Sequence, residues 1–214
     1  MGAGGGVGRA DRHADGGDGV VGLQTAGENP GDRAVAGGIE MTMNSTLPAL
    51  VGAALERARA SGFAYSCDPE VGRLLAVLAA AVPEGGRVLE IGTGAGVGAA
   101  WLVSGLLPRT DVTLTTLEQD ERTAEVAAGG DWPGFVEFRV GDALELLPGL
   151  GAYDLVFADA VAGKHVGLDL TVAALGPRGV LVVDDMTPAP GVVWEPEFAR
   201  RQDGVRQALL ADRR

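Results

Sequence analysis

A short apolar run that ends in an acid and opens into a glycine-rich turn, Val88-Leu89-Glu90-Ile91-Gly92-Thr93-Gly94-Ala95-Gly96-Val97-Gly98, constrains this chain more than any other segment. The run reads as a strand over Arg87 to Ile91, and Val97 to Leu107 reads as the helix that follows. Glycine lets the backbone turn sharply and come close to a ligand, while the amides opening the helix point at it. Strand, glycine turn and helix in that order begin a mostly parallel sheet covered by helices.

The rest of the chain repeats the alternation. Further strands are expected at Val112–Glu118, Val136–Val140, Tyr153–Ala158 and Val180–Val183. Helices are expected at Glu121–Ala128, Ala143–Leu147, His165–Leu175 and Pro196–Leu210. Ahead of the glycine turn, apolar spacing predicts a helix from Leu47 to Ala60. A second should run from Pro69 to Val82, capped by Asp68 and with Val71, Leu74, Leu75, Leu78 and Val82 packed on the sheet. The fold class is therefore α/β, a doubly wound parallel sheet with helices on both faces, whose ligands sit beyond the carboxyl ends of the strands.

Composition narrows the function. The 214 residues suffice for one such domain. Residues 1–42, crowded with glycine, Asp and Arg and lacking apolar periodicity, read as a disordered tail, and 43–214 as the domain. A net charge of −12 argues against nucleic acid and anionic membranes as partners. The single cysteine, Cys67, reads as a small buried residue near the second helix. With no apolar run long enough to span a bilayer and no secretory leader, a cytoplasmic protein acting on a small molecule is expected.

Charge also separates two cofactor classes. A relaxed dinucleotide fingerprint can be read on Gly94, Gly96 and Ala99, which keeps an NAD(P)-binding oxidoreductase open. Glu90, however, would repel a pyrophosphate and would favour S-adenosylmethionine, which carries a sulfonium and an ammonium. An acid followed by Gly-x-Gly-x-Gly after the first strand resembles motif I of the class I S-adenosylmethionine-dependent methyltransferases. Later strand ends extend the likeness: Glu118 after the second, Gly141-Asp142-Ala143 after the third, Asp159-Ala160 after the fourth, and Asp184-Asp185 after the fifth. The resemblance covers about Ser66 to Trp194. It implies a Rossmann-like fold with the cofactor held by Glu90, Gly92, Thr93, Gly94, Gly96, Gly98, Glu118, Asp142 and Ala143. Glu118 would bind the ribose hydroxyls, and Asp142 the adenine amino group.

The region is similar to bacterial O-methyltransferases of the catechol O-methyltransferase-like group, which implies a hydroxyl acceptor. In that group an Asp after strand four and an Asp-Asn pair after strand five hold Mg²⁺. Asp159, Asp184 and Asp185 match those places, although the usual Asp-Ala-Asp-Lys is here Asp159-Ala160-Val161-Ala162-Gly163-Lys164. A branch with a Gly-Lys pair and an Asp-Asp pair is closer, and there Lys164 or His165 is the metal-free candidate for a general base beside Asp159. Trp194 is a candidate wall for the acceptor. Family domains continue into an antiparallel strand pair that this chain does not supply, so strand five is expected to be an exposed edge, open to homo-oligomerisation. A truncated, non-catalytic cofactor-binding relic is the remaining alternative.

Overall fold

The computed structural model describes residues 47–188 and 191–212. The tail expected over residues 1–42 lies outside the described residues.

Five parallel strands form one sheet: β1 (Arg87–Ile91), β2 (Thr113–Glu118), β3 (Val136–Val140), β4 (Tyr153–Ala158) and β5 (Leu175–Val183), in the order β3-β2-β1-β4-β5. The helices are α1 (Ala49–Ser61), α2 (Pro69–Ala80), α3 (Val97–Leu106), α4 (Glu121–Ala128), α5 (Ala143–Leu146), α6 (Leu168–Ala173) and α7 (Pro196–Ala211). After β1 the chain moves outward to β2 and β3, then returns to place β4 on the other side of β1. The carboxyl ends of β1 and β4 thus flank the switch point where such sheets bind ligands.

Strand parity sorts the core into two layers. Val88, Leu114, Leu155 and Phe157 pack with α1, α2 and α3, whereas Leu89, Ile91, Leu117 and Val156 pack with Ala143, Leu147 and Ala174 on the opposite face. Glu90 shares the parity of Val88 and so points toward α3.

Two sequence expectations need correction. Helix α2 packs against α3 rather than directly on the sheet. Small residues allow the approach, since a Cβ on Gly105 would lie 2.0 Å from the Ala76 carbonyl oxygen. Leu75 and Ala79 face inward as a result, and Leu74 is 51% exposed. The second correction lies between β4 and β5. Residues 161–166 form a turn in which the amides of Lys164, His165 and Val166 all donate to the Val161 carbonyl. Gly167, at φ 75°, then starts α6 three residues later than expected. Strand β5 in turn begins at Leu175, because Leu175 pairs with Tyr153 before an irregular stretch returns the strand to register at Val180 opposite Leu155.

Candidate active site

Above the ends of β1, β2 and β4 lies a cavity of about 520 Å³, a size suited to one small ligand. Glu90 is at its base, only 1% exposed. Its partner across the ladder is Thr116, which donates to Glu90 Oε2 at 2.6 Å and lies 2.5 Å from the Thr93 hydroxyl. Glu90 Oε1 has no hydrogen-bond partner. Burial pushes this carboxyl up to about 8, against the Thr116 hydrogen bond, and nearby Asp159 and Glu118 add to the rise. A buried acceptor left without a donor is costly, so the site fits a ligand that brings a cation or a donor to this oxygen.

Position 98 must be glycine for that acid to be there. A Cβ on Gly98, in the first turn of α3, would sit 2.2 Å from Glu90 Oε1 and 3.2 Å from the Phe157 ring. Gly94, at φ 53°, is covered by Phe63, whose ring would be 2.7 Å from an added Cβ. Glu118 fastens the loop from the side: Oε2 accepts from the Gly94 amide at 2.9 Å and Oε1 from the Asp120 amide at 3.0 Å.

Most of the residues selected from sequence meet here. Glu90, Gly92, Thr93, Gly94, Gly98, Glu118, Ala143, Asp159 and Asp185 all line the cavity. Others stand behind it. Gly96 is the N-cap of α3 at φ 87°, and Asp142 caps α5 by accepting from the Leu144 amide at 2.8 Å, between the lining residues Gly141 and Ala143. Cys67 is buried as expected but lines the cavity, and burial with Asp184 and Asp159 nearby pushes its thiol up. His165 instead meets α7: its Nε2 is 3.1 Å from Gln202 Oε1 and its ring stands edge-on to Phe198. Trp194 also packs on Phe198 rather than on the cavity.

On the β4–β5 side, burial pushes Asp159 up to about 8; Asp184 adds to this and Lys164 opposes it. Asp184 is likewise raised by burial, and its Oδ1 accepts from the Asp185 amide at 2.8 Å. Lys164 is 3% exposed, with Nζ 3.1 Å from Asp185 Oδ2 and 3.4 Å from the Asp184 carbonyl oxygen. An amine whose hydrogens are aimed at a carboxylate and a carbonyl offers no lone pair to an acceptor hydroxyl, so its geometry is that of a cation rather than a base. A hard divalent ion asks for converging oxygens. Among the described residues no three His, Cys, Asp or Glu side chains converge to hold one. The expected Mg²⁺ ligands Asp159, Asp184 and Asp185 are neighbours here without forming such a set.

Sequence motifs do not mark four contributors. Phe63, Tyr65 and Ser66, in the connection from α1 to α2, line the cavity from above. Two aromatics within four residues of the Gly62 helix stop were the available signal. Thr116 was legible only through register, as the residue opposite Glu90.

Residues 89–186 match a methyltransferase domain family. The chain is 35% identical over 172 residues to a catechol O-methyltransferase of Mycobacterium tuberculosis, an alignment covering 75% of this chain and 77% of that one. Among solved structures it resembles a cofactor-bound protein from MTB, with a TM-score of 0.67, 30% identity and coverage of 80% and 82% of the two chains. It also resembles an O-methyltransferase of Streptomyces achromogenes in complex with S-adenosylmethionine, with a TM-score of 0.59, 27% identity and coverage of 78% and 80%. The chain spans 52% to 62% of the length of four mycobacterial relatives bearing the O-methyltransferase name, at 41% to 44% identity.

Proposed function

We propose, from the premise that this chain belongs to the class I S-adenosylmethionine-dependent O-methyltransferase family, that it moves the methyl group of S-adenosylmethionine to a hydroxyl of a small-molecule acceptor. The observation that carries this reading is the buried carboxyl of Glu90, one oxygen without a partner, at the base of a cavity built by the glycine turn. In its ionised form such a group attracts a cationic cofactor and opposes a pyrophosphate, which weighs against NAD(P). The cofactor supplies an electrophilic methyl carbon when bound.

The chain's own residues do the rest. Glu90 receives the cationic end of the cofactor, Gly92, Gly94, Gly96 and Gly98 keep side chains out of its way, and Thr93 backs Glu90 through the Thr116 hydroxyl. Glu118 serves the ribose hydroxyls, and Asp142 with Ala143 the adenine. Asp159, half-buried at the end of β4 and lining the cavity, faces the acceptor and takes its hydroxyl proton. A carboxyl held near 8 is matched to that work at neutral to mildly alkaline pH. The free side of β5, an edge strand among the described residues with Val180 exposed, suits pairing with a second copy, which a mass measurement in solution would detect.

Calorimetric titration with S-adenosylhomocysteine and with NAD, followed by transfer of labelled methyl to a panel of phenolic and other hydroxyl acceptors, tests the reading. Binding of the homocysteine compound with transfer to at least one acceptor is expected. Binding of NAD instead would overturn it, and cofactor binding with no transfer to any acceptor would favour the relic.

A further inference from the structure

We propose that the ammonium of Lys164 is the resident cation of the acceptor side of this site, taking the part that a divalent metal would play beside Asp159, Asp184 and Asp185. Methyl transfer by this chain then needs no metal. The inference rests on the methyltransferase reading for its chemistry, but on the geometry of four side chains for its substance.

Three carboxyl groups gathered at the ends of two neighbouring strands repel one another when ionised, and a cation beside them relieves this. Metal-dependent sites supply it from solution. Here it is covalently part of the chain. Lys164 comes from the turn between β4 and α6, and its long side chain is buried until Nζ reaches Asp185 Oδ2 at 3.1 Å and the Asp184 carbonyl at 3.4 Å. Burying an ammonium is expensive unless it is paired and hydrogen-bonded, and both conditions are met. The partner acid is held in place at some cost: Asp185 is one of two non-glycine residues with a left-handed backbone among the described residues, at φ 56°. Its amide in turn occupies Asp184 Oδ1. Two of the three acids are thus engaged within the protein, and Asp159, lining the cavity at the end of β4, is left to the acceptor.

This arrangement leaves poor terms for Mg²⁺. A cation binding the Asp185 carboxylate would have to displace or face an ammonium already in contact with it. Lys164 is accordingly a positioning residue. It neutralises and fixes Asp185 while Asp159 meets the acceptor.

The test is a titration of Mn²⁺ into the full chain and into K164M, with free Mn²⁺ read by its paramagnetic resonance signal. Wild type is expected to show no saturable binding up to the millimolar range, and methyl transfer to be unchanged by a chelator. K164M, which frees the carboxylates, is expected to gain Mn²⁺ affinity by at least about tenfold, and K164R to behave as wild type. Saturable Mn²⁺ binding by wild type overturns the proposal whichever variants fold, and so does a K164M chain that gains no affinity. Should K164M not fold, K164Q carries the same comparison. S-adenosylhomocysteine affinity, measured on the same samples, is expected to be unaltered by K164M; its absence in wild type would defeat the methyltransferase reading while the Mn²⁺ result still decides the role of Lys164.

Discussion

On the β1–β2 side of the cavity, Glu90 is buried with one oxygen bonded to Thr116 and the other without a partner. On the β4–β5 side, Asp159 is raised to a similar degree, but an ammonium stands nearby to oppose the rise. The two sides hold their acids by different means. Strand parity and register fix Glu90, so its place follows from a short stretch of backbone and from a glycine on the facing helix. The Lys164–Asp185 pair joins residues 21 apart through a turn and a strained αL backbone. One side is left needing a cation, and the other carries its own. A chain with both can attract a cationic methyl donor to one wall without drawing it into the other.

The largest expected effect breaks that contrast at its first term. Glu90→Gln keeps the shape and can retain the bond to Thr116, but it removes the negative charge. Loss of a hydrogen bond to a charged group is worth about 1.5–3 kcal/mol, so S-adenosylhomocysteine should bind about 10- to 100-fold more weakly by calorimetry. The stability of the ligand-free protein should move the other way. Glu90 has its folded pKa raised from 4.5 to about 8, so the folded state holds the proton more tightly than the unfolded one. The stabilisation is complete below 4.5 and is lost as pH rises toward about 8. Without ligand, Glu90→Gln should therefore melt above wild type at alkaline pH. A variant that loses both affinity and stability at that pH would make Glu90 a structural acid.

A smaller effect sharpens the same contrast. Because the ammonium of the ligand selects ionised Glu90, wild-type affinity should rise with pH and level off above about 8. The slope is at most about tenfold per pH unit for one proton. Comparing wild type with Glu90→Gln cancels the titration of the ligand itself. A slope of equal size in both proteins would move the pH dependence elsewhere.

What the sequence disclosed follows the same division. The strands β1, β3 and β4 begin and end where apolar runs do, and Glu90, Gly94 and Gly98 fall within a single motif whose spacing is local. Asp159 was legible because it closes a strand. Lys164 reads from sequence as a candidate base, since spacing along the chain does not reveal which acid a long side chain will meet 21 residues later. Phe63 and Tyr65 carry no motif because the connection from α1 to α2 precedes the sheet, and only the fold carries it across the glycine loop. The helix expected from His165 starts later because the turn over residues 161–166 and Gly167, in the αL region, take its first residues.

The smallest effect is expected at His165, the other candidate base. Its Nε2 contacts Gln202, which is fully buried, and its ring packs against Phe198 away from the cavity. Replacing it with leucine leaves the Gln202 side-chain oxygen without a partner, which should cost about 1–3 kcal/mol in chemical denaturation. Burial holds this imidazole below its usual range, so the unfolded chain takes up the proton more readily. Wild-type stability should then fall as pH drops through that range, and His165→Leu should lack this part of the loss. The acceptor kcat/KM should change by less than about threefold, as for a substitution outside the reacting groups. A large fall in kcat with stability intact would instead bring His165 into the reaction, and α7 would have to move to allow it. That outcome would reverse the contrast between the two sides, making the β4–β5 side the one whose structure changes when an acceptor binds.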